Sequence, residues 1–533
     1  MADDSHSTHI EPGPAPRKSV LLRSELRSWI KTLVAFMGPG YIVAVGYMDP
    51  GNWATDLQGG SVYQYKLLFI IFLSNVFAVL FQSLSAKIGI VTGRDLSQLC
   101  RKHFHPWLNY ILYFVAEVAV MATDLAEIIG AAISLKLLLG IPLIGGIILT
   151  TLDVFLVLVT FQAKYMRIFE FIIIVLVLMV GICYAVLLSQ SAASGVDVLK
   201  GYLPLDSTIF TDPTTLYVGM SILGATVMPH NLFIHSRLVQ YRSPRQDESE
   251  PDESLDSPGV SADRRSADRI DQITTIEDGA RTAAASIRSS VRSKEKLSTL
   301  VDGTIRASDP LETDLRDGSA HSSEFVERIK STLSFTMVDS AIALTFALYV
   351  NSAILIVSAA LFYSKNQQVS DIPSAYNLIK TAIAPWAATL FAFALFCAGQ
   401  SSSITGTLAG QIVMEGFLKL KWPMWARRLT TRAAALIPAV VVVIIKGDAG
   451  INDLLVLSQA ILSGCLPFAL WPLLWFSSSK HIMSIRVKSM NGAAESSKSF
   501  ASSWFITIFT FLSILLITGL DILMIYQAIA GTP

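Results

Sequence analysis

Gly40-Tyr-Ile-Val-Ala-Val-Gly-Tyr-Met-Asp-Pro-Gly-Asn52 is an apolar run interrupted by a carboxylate, a proline and a glycine in succession. Asp49 is the only charged side chain between Thr32 and Thr55, and the run is long enough to cross a bilayer, which needs about 20 apolar residues. Asp49 is therefore expected inside a membrane. Pro50 supplies no amide hydrogen and Gly51 weakens a helix further, so the backbone must open there and leave carbonyls without partners. Hydrocarbon does not tolerate such an opening, so the stretch must face protein or a water-filled cavity. An anionic oxygen, freed carbonyls and the amide oxygen of Asn52 together make a seat for a cation.

A second stretch answers the first. Met48-Asp-Pro-Gly-Asn52 has a counterpart in Val227-Met-Pro-His-Asn231, again within an apolar run, Thr214 to Ser236, with proline third and asparagine fifth. Two broken spans in corresponding positions of two halves point to a secondary transporter built from repeats, with its substrate held near the bilayer midplane.

The rest of the chain agrees with a polytopic membrane protein. Of its 533 residues 52% are hydrophobic and 15% charged, and the apolar residues come in many separated runs. Forty-one basic residues balance 41 acidic ones, so no global charge draws the chain to nucleic acid. Cys100, Cys183, Cys397 and Cys465 are scattered and suggest neither a disulfide framework nor a thiolate metal cluster. The first thirty residues lack an apolar core segment, so no cleaved signal peptide is expected and the first span would direct insertion.

Residues 1–31 read as a disordered cytoplasmic tail. About eleven spans follow, roughly 32–57, 67–91, 107–136, 143–161, 168–189, 213–238, 331–362, 381–418, 430–445, 451–476 and 502–528. The domain organisation is thus spans one to six over 32–238, a disordered cytoplasmic connection over 239–327, and spans seven to eleven over 328–533. Basic residues orient the bundle. Arg94, Arg101 and Lys102, then Lys164 and Arg167, then Lys419, Lys421, Arg427, Arg428 and Arg432, then Lys480, Arg486 and Lys488 fall in connections on the amino-terminal side. Lys66, Lys136, Lys200, Lys365 and Lys446 stand nearly alone on the other. The amino end is expected in the cytoplasm. The 239–327 connection is rich in Ser, Arg, Asp and Glu and cannot bury a core. Segments such as Arg288-Ser-Ser-Val-Arg292 offer sites for kinases or trafficking factors.

Ionisable residues within spans are functional candidates, because burying them is costly unless they pair or meet water. The third span carries Glu117, Asp124 and Glu127, which at about 100° per residue share one face. Such a row suits proton transfer; equally, it could form structural pairs with Arg428 or Arg432 at the inner end of span nine. His230 and His235 raise the same alternatives, proton acceptor near the break or polar packing. Most membrane methionines are adaptable apolar filler, and Met228 is open to that reading, but it stands in the slot of Asp49. Its thioether is a soft ligand, useless to Ca²⁺ or Mg²⁺ and attractive to Mn²⁺, Fe²⁺ and softer dications. Asp153, Asp339 and Asp521 fit no pattern beyond structural pairing. Gln400 and Gln459 could reach a central cavity or bond between helices.

Asp49-Pro-Gly-Asn52, Ala225-Thr-Val-Met-Pro-His-Asn231 running on to His235-Ser236, and Gly399-Gln-Ser-Ser-Ser-Ile-Thr-Gly-Thr-Leu-Ala-Gly-Gln411 resemble the signature stretches of the Nramp family of proton-coupled divalent metal transporters. The long central insertion resembles fungal members more than bacterial ones. The resemblance implies an all-α membrane protein with a LeuT-like arrangement, two inverted five-helix repeats plus an eleventh helix, with helices one and six discontinuous. It implies coordination of the metal by Asp49, Asn52, Met228 and the carbonyl of Ala225, with Gln459 joining in some conformations. It also implies a proton route from Asp49 through Glu127, Asp124 and Glu117, with His230 and His235 adjacent. A pair of arginines from span nine takes part, to be chosen among Arg427, Arg428 and Arg432.

The expected activity is therefore import of Mn²⁺ or Fe²⁺ with H⁺, by a multi-pass protein of the plasma membrane or of an endosomal or vacuolar one. The metal and the proton are substrates, no permanently bound cofactor is expected, and no enzymatic role. No phosphate loop ending in Gly-Lys-Ser/Thr is present, which argues against primary pumping. The rivals are a metal-sensing receptor without transport and a sodium-coupled small-solute transporter of the same fold.

Overall fold

The computed structural model describes residues 39–150, 166–242, 317–363, 371–420, 422–446, 449–487 and 496–530. The expected tail over 1–31, most of the 239–327 connection and the second half of span four lie outside the described residues.

Proline decides where the first span divides. Helix α1, Pro39–Val45, passes into a 3-10 turn over Gly46–Met48; Asp49 is extended (φ −69°, ψ 166°), and α2, Pro50–Tyr63, begins with proline in its first turn. Proline suits that place because its missing N–H is one the helix start leaves unpaired anyway. Next come α3, Leu68–Thr92, the short α4, Leu96–His103, α5, Pro106–Leu139, and α6, Met166–Gln190. Span six repeats the pattern of span one. Helix α7, Pro213–Thr226, stops at extended Met228 (φ −72°, ψ 127°), and α8, Pro229–Leu238, restarts on proline.

The second half contains α9, Asp317–Leu361, α10, Ile372–Ala382, α11, Pro385–Leu418, α12, Met424–Lys446, α13, Ala449–Ser478, and α14, Trp504–Ala530. Among the described residues six helices are long and apolar enough to cross a membrane. Spans one and six are not among the six because each is split into pieces of 14 residues or fewer.

Three features depart from the sequence expectation. Span eight does not start at 381: Ala384, extended at φ −172°, separates α10 from α11, since a residue before proline is forced out of the helical region. Helix α9 starts at Asp317, inside the stretch assigned to the long connection. Its added turns bury Val326 and Ile329, and Ile329, with Leu333 of the expected span, joins one cluster with Ala86, Ile90 and Val239. Between α13 and α14, β1 (Ser484–Val487) pairs antiparallel with β2 (Ser496–Ser499), and Ile485 joins the same cluster.

Packing brings the two breaks together. Helix α2 lies along α9, α7 along α13, and α11 along α5. Gly224 lets α7 approach closely, because a Cβ there would strike the backbone of α13 at Gln459 and Ser463.

Candidate metal site

An α-helical carbonyl accepts from the N–H four residues on. Pro50 therefore leaves the Gly46 carbonyl without that donor, and Pro229 does the same to Ala225. The carbonyl of Ala225 instead accepts from Asn52 Nδ2 at 3.1 Å. Asp49 caps α2: its Oδ1 accepts from the Asn52 backbone N–H at 2.9 Å and from Asn52 Nδ2 at 2.6 Å. The Asn52 amide nitrogen thus lies between a carboxylate oxygen of one break and a freed carbonyl of the other. On its far side Asn52 Oδ1 accepts from Asn351 Nδ2 at 3.3 Å, which also donates to the Tyr47 carbonyl at 3.0 Å.

Asp49, Ala225, Met228 and Gln459 are wholly buried and Asn52 is 1% exposed. Asp49 Oδ2 has no hydrogen-bond partner. Met228 precedes α8 without a side-chain cap, three residues on from the Ala225 carbonyl. Gln459 reaches the first break from α13. Its amide lies so close over Gly51 that a Cβ there would overlap it; Nε2 donates to Ser458 Oγ at 3.0 Å and Oε1 is unpartnered. Among the described residues no three His, Cys, Asp or Glu side chains converge on one point. A dication here would meet one carboxylate and otherwise neutral donors.

The α5 row meets α12. Arg427 Nη2 donates to both carboxylate oxygens of Glu117, at 2.5 and 2.7 Å, a bidentate pair. Arg432 Nη2 stands 3.9 Å from Glu127 Oε2, and Arg432 also donates to the Thr150 carbonyl at 3.3 Å and to Ser403 Oγ. Asp124 is buried with Oδ1 unpartnered. Room for these acids comes from α11, where a Cβ on Gly406 would lie 2.8 Å from Glu127 Oε1 and 3.4 Å from Asp124 Oδ1. Of the three arginines left open from sequence, Arg427 is the one seen on Glu117; the side chain of Arg428 lies outside the described residues. The arginines at 427, 428 and 432 spread over about 140° of the helix, so only the packing of α12 on α5 selects between them.

The two histidines divide. His230 is buried with Nδ1 unpartnered. His235 is tied into a network: Nδ1 bonds Gln82 Oε1 at 2.9 Å, Nε2 meets Ser340 Oγ at 3.3 Å, and Gln82 Nε2 donates to the Tyr47 hydroxyl at 2.7 Å. These bonds fit the polar-packing alternative. Asn351 and Gln82 were not singled out by the sequence pattern; the signal available was a lone amide inside an apolar run, as in Ala347-Leu-Tyr-Val-Asn-Ser-Ala-Ile-Leu355.

Comparison with known proteins gives a consistent picture. The family profile described as "Natural resistance-associated macrophage protein-like", Nramp, matches residues 40–259 and 319–527. The divalent metal cation transporter MntH of Bradyrhizobium diazoefficiens is 42% identical over 457 residues, 85% of this chain and 84% of that protein. MntH of Nostoc sp. is 41% identical over 474 residues, 88% of each. The crystal structure of the Eremococcus coleocola manganese transporter superposes with a TM-score of 0.70 at 31% identity, covering 95% of this chain and 89% of that one. Mhp1, a nucleobase-cation-symport-1 family transporter, shares the fold alone, with a TM-score of 0.50 at 14% identity over 92% of this chain and 90% of that one.

Proposed function

The chain belongs to the Nramp family, and from that premise we propose that it is a secondary transporter bringing divalent transition metal ions, Mn²⁺ or Fe²⁺, into the cytosol together with protons. The observation that carries this reading is the Asn52 amide set between the Asp49 carboxylate and the Ala225 carbonyl, where the two helix breaks meet. An amide turned over about its last bond exchanges donor for acceptor. With Asn52 turned, its Oδ1 would join Asp49 and the Ala225 carbonyl around one ion, Met228 would add its thioether, and Gln459 would close from α13. The carboxyl end of α7, where Pro229 deprives the Ala225 carbonyl of its helical donor, carries the negative end of the helix dipole and favours a cation. The thioether favours transition metals over Ca²⁺ and Mg²⁺.

Proton coupling follows from charge. A dication held by one carboxylate leaves a net positive charge in a buried site, and such a charge favours loss of protons from neighbouring acids. The route proposed runs from Asp49 through Glu127 and Asp124 to Glu117, beside His230, with Arg427 and Arg432 balancing the acids from α12. An inward-negative potential would favour entry by about 2.3 kcal/mol per charge per 100 mV. The amino end faces the cytosol in this reading, and the membrane is the plasma membrane or an endosomal or vacuolar one. A carboxylate at position 49 would repel the anionic end of an amino acid, which disfavours a sodium-coupled amino-acid carrier.

The test is Mn²⁺ uptake into proteoliposomes carrying a pH dye. Uptake should be saturable and stimulated by external acid. Glu127→Gln should lower proton entry at least about tenfold more than Mn²⁺ binding. Metal binding with no accumulation would replace transport by the receptor reading.

A further inference from the structure

Asp56 lies seven residues beyond Asp49 along α2. Seven helical residues rise about 10 Å and come round to within about 20° of the starting direction, with position 52 about 40° from position 56. Asp49, Asn52 and Asp56 thus form an oxygen-bearing stripe from the break toward the Tyr63 end of α2, the end that the basic residues assign to the outside.

Asp56 is 1% exposed, and neither carboxylate oxygen has a hydrogen-bond partner. The neighbouring Thr55 does not help it, because its hydroxyl donates to the carbonyls of Gly51 and Asn52 at 3.2 and 3.0 Å. Two further polar groups beside it are equally unspent. Tyr184 of α6 is 1% exposed with its hydroxyl unpartnered, and its ring packs against that of Trp53, one helical turn before Asp56 on α2. Trp53 is fully buried with its indole N–H unpartnered. The Trp53 ring stands edge-on to Tyr184 at 5.0 Å and tilted against Phe391 at 5.4 Å, so apolar surface surrounds these polar groups.

An ionised carboxylate buried without a partner is strongly disfavoured. A neutral carboxyl escapes that charge penalty but still carries an O–H that must be satisfied. A cation serves both oxygens at once. We propose that Asp56, with the Tyr184 hydroxyl, is an outer way-station for the incoming divalent cation, occupied before Asp49. The proposal rests on the transport reading for its direction of travel. Two dications about 10 Å apart in a buried stripe repel each other strongly, so the two seats would be filled in turn.

The experiment measures Mn²⁺ binding to the purified full-length protein in detergent by paramagnetic resonance of the free ion, for wild type, Asp49→Ala, and Asp49→Ala with Asp56→Asn. Asp49→Ala should retain one site weaker by about tenfold or more, and adding Asp56→Asn should remove it. In proteoliposomes Asp56→Asn alone should raise the KM for Mn²⁺ by about three- to tenfold with the maximal rate within about twofold, and Tyr184→Phe should do the same to a smaller degree. Identical binding in the single and double variants, or an unchanged KM in both Asp56→Asn and Tyr184→Phe, overturns the proposal. Loss of acid stimulation with Mn²⁺ binding intact also overturns it, in favour of a proton carrier. Failure of wild-type uptake would strike the transport reading alone, since the binding measurement decides Asp56 independently.

Discussion

The two helix breaks are built on one backbone plan and furnished differently. Each has a proline after an extended residue, and positions 179 apart correspond: Gly46 with Ala225, Asp49 with Met228, Asn52 with Asn231. The asparagines reach across reciprocally. Asn52 meets Ala225, and Asn231 lies against Gly46, where a Cβ would come 2.6 Å from its Nδ2. There the likeness ends. Asp49 caps its helix through Asn52 while Met228 caps nothing, and the amide of Asn231 has no hydrogen-bond partner where that of Asn52 has three. The repeat supplies symmetric openings in the backbone, and the side chains put charge in one opening and a soft sulfur in the other. In the proposed metal site this asymmetry would make a cage with one hard and one soft side.

The comparison breaks most completely if the charged side is neutralised. Asp49→Ala should lower Mn²⁺ uptake by about 100-fold or more, the scale of removing one member of a buried charge pair; residual uptake above a tenth of wild type would mean the two breaks contribute alike. Next comes packing. Gly224→Ala sets a methyl against the backbone of α13, whereas Gly46→Ala meets only the movable amide of Asn231. The first should destabilise by about 1–3 kcal/mol and the second by less, read as thermal unfolding in detergent; equal losses would contradict the difference. On the soft side, Met228→Ala should reduce discrimination of Mn²⁺ against Ca²⁺ by about tenfold, about 1.4 kcal/mol, in competition uptake. Unchanged selectivity refutes the role of the thioether. The smallest effect is expected from Asn231→Ala, below about threefold in KM because its amide makes no hydrogen bond to lose, against a larger rise for Asn52→Ala.

Legibility in the sequence followed the range of the forces involved. Both breaks were readable because a proline deletes its own N–H and a carboxylate in an apolar run must be accommodated, and each effect acts within four residues. The face shared by Glu117, Asp124 and Glu127 was readable for the same reason. The start of α9 at Asp317 was hidden by a polar composition that carries an apolar stripe at Val326, Ile329 and Leu333. The boundary at Ala384 was signalled by Pro385 but masked by the length of the apolar run around it.

The order of amino acids alone determined that this is a membrane-embedded bundle, where its two helices open, and that a carboxylate and a thioether stand at those openings. Tertiary structure decided that Asn52 bridges Asp49 to a carbonyl 173 positions away, that Arg427 holds Glu117 across 310 positions, and that Asn351 bonds Asn52 from α9. The reason is that backbone hydrogen bonding is set by immediate neighbours, whereas the rotation of one packed helix against another depends on every contact along both, and no local pattern encodes it.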